Sequence, residues 1–107
     1  MTTIIYGLKT CDTCRKALKA LPDAQFRDIR ATPLTQEERR EFLAAFGDTL
    51  INRASTTWRG LDDQARLAPP ETLLTHYPAL MKRPVIRAND ALHLGWKADV
   101  QGALGLG

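Results

Sequence analysis

Cys11 and Cys14 are the two cysteines of the chain, separated by Asp12-Thr13. Two thiols three residues apart at a helix start can reach disulfide distance and also zinc distance, so redox chemistry and metal binding both come into question. Zinc needs about two further ligands. His76 and His93 fall in no paired spacing, which moves the balance toward redox chemistry. Of the two thiols Cys11 is the candidate nucleophile. The apolar run Thr3-Ile4-Ile5-Tyr6 enters a turn at Gly7, and a helical apolar pattern begins at Cys14, so Cys11 falls at the N-terminal end of that helix. The first backbone N–H groups of a helix lack intrahelical partners and carry the positive end of its dipole, which favours a thiolate over a thiol. Lys9 and Arg15 add positive charge nearby. Cys11 is therefore expected to have a lowered pKa and Cys14 not. Cys14 falls on the apolar helix face and is either a resolving thiol or a buried small hydrophobe.

A thiolate that acts on an oxyanion, or on a substrate bearing the carboxylates of glutathione, needs fixed cations, and arginine binds such groups through a planar fork. Arg53 and Arg83 are the candidates, each weighed against the ordinary reading of a solvated surface arginine. Arg83 has a further argument, because Lys82-Arg83-Pro84 precedes a strand and a proline there can hold a cis bond at a tight turn. Trp58 and Trp96 read as partial core, and His76 and His93 as surface residues. Ser55-Thr56-Thr57 fits helix capping better than a hydroxyl nucleophile, since no His and Asp stand at a triad-like spacing.

The elements that must position these residues follow from the apolar periods. Residues 2–6 read as a buried strand. Cys14, Ala17, Leu18 and Leu21 then lie on one helix face that Pro22 ends. Gln25 to Ile29 reads as a second strand, parallel to the first in a βαβ unit. Beyond Pro33, Thr35-Gln36-Glu37-Glu38 has the form of a capping box, Phe42, Leu43 and Phe46 form the apolar face behind it, and Gly47 suits the left-handed position after the helix. Residues 50–63 are expected to hold short helical turns around Trp58 and Leu61. Another helix starts at Pro69-Pro70-Glu71, turns Leu73, Leu74 and Tyr77 inward, and ends at Pro78. Val85-Ile86-Arg87 and Leu92-His93-Leu94 flank Ala88-Asn89-Asp90-Ala91, a hairpin whose Asn-Asp centre tolerates positive φ. Val100, Ala103 and Leu104 give a short last helix, and the Gly105-Leu106-Gly107 tail is expected to fray.

A length of 107 residues fits one domain, and 44% hydrophobic with 25% charged residues is an ordinary globular composition. A net charge of +3 with scattered Lys and Arg gives no support to direct nucleic-acid binding. The N-terminus carries no signal-peptide core and no apolar run could span a membrane, so the expected compartment is the cytoplasm. In a reducing compartment a Cys-x-x-Cys pair is more often a redox or metal site than a structural staple.

Four segments, taken together and in order, resemble one known family. They are Tyr6-Gly7-Leu8-Lys9-Thr10-Cys11-Asp12-Thr13, Asn52-Arg53-Ala54-Ser55-Thr56-Thr57-Trp58-Arg59, Met81-Lys82-Arg83-Pro84-Val85 and Gly95-Trp96-Lys97-Ala98-Asp99. The chain is similar to the arsenate-reductase-related branch of the thioredoxin-like proteins, most of all to its small YffB-type members, with Spx-type regulators as another branch. The resemblance implies an α/β, thioredoxin-like fold with an inserted helical subdomain. In these terms residues 1–107 are a single domain, with a core of 1–32 and 79–107 and a helical insertion of 33–78. It implies that Cys11 is the catalytic cysteine, that Arg53 and Arg83 bind an anion, and that Pro84 is a cis proline beside the cysteine loop. Lys97 stands near the family's third basic position, as Lys in place of Arg. Two departures bear on the substrate. Gly7-Leu8-Lys9 stands where glutaredoxin-linked arsenate reductases have His-Asn-Pro, which weakens the case for arsenate itself while leaving arsenate, a related oxyanion or a disulfide as the expected substrates, and those enzymes have no counterpart of Cys14.

The expected function is a thiol-dependent reductase with no bound cofactor. Cys11 attacks an oxyanion or a disulfide, Arg53 and Arg83 hold the anionic group, and glutathione as co-substrate, or Cys14, resolves the intermediate. Glutathione, glutaredoxin or thioredoxin is the expected partner. The competing expectation is an Spx-like regulator that contacts RNA polymerase and is switched by a Cys11 to Cys14 disulfide.

Overall fold

The computed structural model describes residues 2–106, which form an α/β structure with one four-stranded sheet. The chain divides into two compact units, one made of the residues up to Ile29 together with those from Arg83 onward, the other of Arg30–Lys82.

In the first unit β1 (Ile4–Gly7) leads into α1 (Asp12–Ala20), followed by β2 (Gln25–Asp28). β1 extends one residue past the expected strand because Gly7 still pairs, with Asp28, in the parallel register Ile4↔Gln25 to Gly7↔Asp28. α1 begins before the apolar pattern does, with Cys11 as its N-cap. Its first turn, Asp12 and Thr13, is exposed and so leaves no apolar signature. The later strands β3 (Val85–Ala88) and β4 (Ala91–Leu94) complete the sheet in the order β2-β1-β3-β4. β3 runs antiparallel to β1, with Tyr6 opposite Val85, and to β4. Asn89 and Asp90 have φ of 50° and 65°, the paired positive values that a two-residue hairpin turn matched to strand twist requires. Ile5, Ala17, Ile86 and Val100 form the centre of the core, with Leu18, Leu21, Phe26, Trp96 and Leu104 packed around it.

The chain ends differently from the expectation. A last helix, Ala98–Ala103, is followed by Gly105 at φ 79°, whose N–H donates to the Gly102 carbonyl at 3.0 Å while the Leu106 N–H donates to the Gln101 carbonyl at 2.9 Å. These two bonds make a Schellman motif, so Gly105 and Leu106 are tied back to the helix, because the glycine allows the left-handed step that closes it. Gly107 lies outside the described residues.

The second unit is helical. α2 (Gln36–Phe46) carries the complete capping box: the Glu38 N–H donates to Thr35 Oγ1 at 3.1 Å and the Thr35 N–H to Glu38 Oε1 at 2.8 Å. Gly47 has φ 60° and ψ −144°, positive as expected but in a region nearly exclusive to glycine instead of the helical left-handed one. A 3₁₀ turn at Gly47–Leu50 and two single-turn helices, α3 (Thr56–Arg59) and α4 (Asp63–Arg66), cover the stretch expected to hold short turns. Ser55 caps α3 by accepting from the Trp58 N–H at 3.1 Å, which is the capping role read from Ser55-Thr56-Thr57. α5 (Pro70–His76) packs on α2, with Phe42, Leu73 and Leu74 buried. The unit closes on a pairing that no local pattern announces. Ile51 bridges Met81 antiparallel, with the Asn52 N–H on the Leu80 carbonyl and the Lys82 N–H on the Leu50 carbonyl, both at 2.8 Å.

Candidate active site around Cys11

Cys11 is half-buried at the start of α1, and Cys14 behind it is 0% exposed. Both are free thiols. The loop between β1 and α1 turns on the Cys11 N–H, which donates to the Leu8 carbonyl at 3.0 Å, while the Cys11 carbonyl accepts the first helical bond, from the Arg15 N–H, at 3.0 Å. Because β3 pairs with β1 at Tyr6↔Val85, residues 83 and 84 lie at the sheet end from which this loop departs. The Arg83–Pro84 peptide bond is cis, and Pro84 is buried with its carbonyl accepting from the Gly95 N–H at 2.8 Å.

This arrangement separates the two thiols. Burial alone would raise the Cys11 pKa, but the Cys14 backbone N–H, the Cys14 thiol and the Arg83 guanidinium all hydrogen-bond the sulfur, and together they hold its pKa below the ordinary value. Burial pushes Cys14 the other way, up to about 12, reinforced by the neighbouring Cys11 and opposed by the Leu8 backbone and Arg83. The positive charge acting on Cys11 comes from Arg83. Arg15, read from the sequence as an added charge, instead donates its Nε–H to the Lys9 carbonyl at 2.8 Å and lies 3.6 Å from Asp12.

Gly7 belongs to this site through what it lacks. A Cβ there would collide with Cys14 Sγ and lie 3.2 Å from Cys14 Cβ, so only glycine lets the buried thiol sit against β1. Its place just ahead of the cysteine loop was a signal, but nothing in the local pattern shows which side chain fills the space. Asp28 was also missed. Its Oδ2 accepts from the Lys9 N–H at 3.1 Å.

The site residues expected from the sequence thus fall into separate settings. Cys11, Cys14, Arg83 and Pro84 are brought together in the first unit. Lys97 is exposed there, at the N-cap of the last helix. Arg53 belongs to the second unit, where its Nη2 pairs with Asp48 Oδ1 at 2.9 Å, its Nη1 donates to the Asp48 carbonyl at 3.3 Å, and its guanidinium stacks 5.2 Å from the Trp58 ring centre. Trp58 is half-buried, as expected for partial core, and is also a platform for arginine, since Arg66 lies 5.7 Å from the same ring. Among the described residues no group of three His, Cys, Asp or Glu side chains converges as metal ligands would, and no helix is long and apolar enough to cross a membrane.

The pattern of the ArsC family matches residues 6–104. An uncharacterised protein of Haemophilus influenzae is 37% identical over 101 residues, covering 86% of this chain and 89% of that protein. The global transcriptional regulator Spx 1 of Bacillus cereus is 28% identical over 105 residues, covering 89% and 80% of the two chains. Among solved structures the YffB protein superimposes with a TM-score of 0.86 at 32% identity, covering 95% of this chain and 97% of that one. A protein of Brucella melitensis described as arsenate reductase (ArsC) related has a TM-score of 0.75 at 34% identity, covering 96% and 93%.

Proposed function

We propose, since this chain belongs to the ArsC family, that it is a thiol-dependent reductase whose nucleophile is Cys11. The observation that carries this reading is the opposed setting of the two thiols, with Cys11 accessible and its thiolate favoured by the Cys14 N–H and Arg83, while Cys14 is buried and held protonated. A nucleophile of this kind works through its thiolate fraction at ambient pH. On a disulfide, the Cys11 thiolate attacks one sulfur, the new S–S bond forms as the old one breaks, and the departing thiolate carries off the electron pair. A second thiolate then attacks the Cys11 sulfur and frees it. Glutathione is the proposed second thiol and co-substrate, with no resident cofactor, and glutaredoxin or thioredoxin is the proposed partner. Arg83 beside Cys11 is the proposed anchor for a substrate anion, whether an oxyanion or a carboxylate of glutathione, with Lys97 as a further cation for it. Free thiols poised for this chemistry suit a reducing compartment, and the cytoplasm is the proposed location.

The second reading is a redox-switched regulator that contacts RNA polymerase. It draws on the Spx 1 relatives and on the hydrogen bond between the two thiols, which puts Cys14 in reach of Cys11. The test is mass spectrometry of the full chain after exposure to oxidised glutathione. A glutathione adduct on Cys11 is the result expected for the reductase. An internal disulfide, with polymerase captured only by the oxidised or only by the reduced protein, supports the regulator. Recovery of both thiols unmodified refutes the assignment of Cys11 as nucleophile.

A further inference from the structure

Lys9 stands in the loop between β1 and α1, is exposed, and yet has both of its backbone polar groups taken by charged side chains from neighbouring elements. Its N–H donates to Asp28 Oδ2 at 3.1 Å, from the last residue of β2. Its carbonyl accepts from Arg15 Nε at 2.8 Å, from the first half of α1. Water could satisfy both groups in an exposed loop, so the hold contributes mainly by fixing the peptide in one place, and charge-assisted bonds do so more strongly than neutral ones. Two residues further on is Cys11, whose hydrogen bonds from the Cys14 N–H and the Arg83 guanidinium depend on where its sulfur stands.

We propose that Asp28 and Arg15 are positioning residues for Cys11, clasping the Lys9 backbone on its two sides, at the N–H from β2 and at the carbonyl from α1, so that the thiol faces Cys14 and Arg83. The proposal rests on the reading of Cys11 as nucleophile and adds the two side chains that set its geometry. The charged and titratable groups gathered at the loop include Lys9 itself, Asp12, Cys14 and Arg15 from α1, Asp28 from β2, and Arg83 ahead of β3.

Charge and position make opposite demands of these residues, which makes the proposal testable. Acting through charge alone, loss of the Asp28 carboxylate would favour the Cys11 thiolate, and Arg15→Lys would change nothing because the charge is retained. Acting through position, Asp28→Ala and Arg15→Lys both disfavour the thiolate. Asp28→Asn keeps an acceptor oxygen for the Lys9 N–H and so keeps the clasp.

The experiment is alkylation of the full chain by iodoacetamide across pH, with the modified cysteine identified by mass spectrometry. Asp28→Ala and Arg15→Lys are expected to raise the Cys11 midpoint and to slow its alkylation at neutral pH by about two- to tenfold, the worth of one misplaced hydrogen bond. Asp28→Asn is expected to react at least as fast as the wild type. A lower midpoint in Asp28→Ala, or an unmoved one in Arg15→Lys, overturns the proposal while leaving Cys11 as nucleophile. If wild-type Cys11 itself titrates as an ordinary thiol, the reductase reading falls and the proposal falls with it.

Discussion

Raising the pH should weaken this fold through Cys14, and the size of the effect follows from the burial of its thiol. Cys14 is 0% exposed, and its pKa is pushed from an ordinary 9.0 up to about 12. Below pH 9 the thiol is protonated in both the folded and the unfolded chain and contributes no pH dependence. As pH rises from 9 toward 12 the unfolded chain gives up a proton that the folded chain retains, so stability falls by about 1.4 kcal/mol for each pH unit. The expected loss from this one group at pH 10 is therefore about 1.4 kcal/mol. Cys11 has the opposite sign. Its folded pKa is lowered, so the stability it contributes grows as pH rises through that value and is complete above the ordinary one. The window above pH 9 thus isolates Cys14. Urea unfolding of the reduced wild type and of Cys14→Ala at pH 8, 9 and 10 measures the difference. The cavity left by the alanine displaces the whole curve without changing its slope, and the titrating groups cancel between the two proteins except Cys11, which loses its bond from the Cys14 thiol and so shifts the variant at the low end of the window. Parallel curves for wild type and variant across this window would refute the account of Cys14 as a thiol held protonated by burial.

Gly7→Ala should cost about 1–3 kcal/mol through collision with Cys14, and distinctly less in a Cys14→Ala background. An additive double-mutant cycle from urea unfolding would show that the strain lies elsewhere. Arg83→Ala removes both the guanidinium bond and the nearby charge, so Cys11 alkylation at neutral pH should slow by about three- to tenfold, discounted for partial exposure of the thiol, while the protein stays folded. An unchanged alkylation profile would remove Arg83 from the site.

The parts of this structure legible in the sequence are those settled within a few residues. The capping box at Thr35 and Glu38, the hairpin centred on Asn89-Asp90, and the N-terminal place of Cys11 on α1 all depend on neighbours along the chain. The cis bond at Arg83–Pro84 was expected on the resemblance to a family as well as on the dipeptide. The bridge between Ile51 and Met81 has no local signature, because each strand-like segment is about one residue of pairing long and finds its partner across the whole helical unit. Arg15 was read only in part for a related reason. Sequence shows its charge, but only the fold shows that the guanidinium is turned onto the Lys9 carbonyl. For Asp28 and Gly7 the partners are the Lys9 peptide and the Cys14 sulfur, contacts that arise only when β1, β2 and α1 have assembled.

The placing of residues 30–82 between β2 and β3 has a consequence for the order in which chemistry appears during synthesis. A nascent chain emerging from the ribosome makes β1, α1 and β2 first, and can join them as a parallel pair with its helix. The central partner of β1 on the other side is β3, and Arg83 arrives only just ahead of it. Pairings between segments this distant in the chain form late, since loop closure must be achieved before they stabilise anything. Cys11 is therefore translated early with only its α1 neighbour Cys14 to favour the thiolate, and acquires its guanidinium after about three quarters of the chain has been made. The full lowering of the Cys11 pKa thus waits for the strand that carries Arg83 into place, and until then the growing chain exchanges less readily with any disulfide it meets.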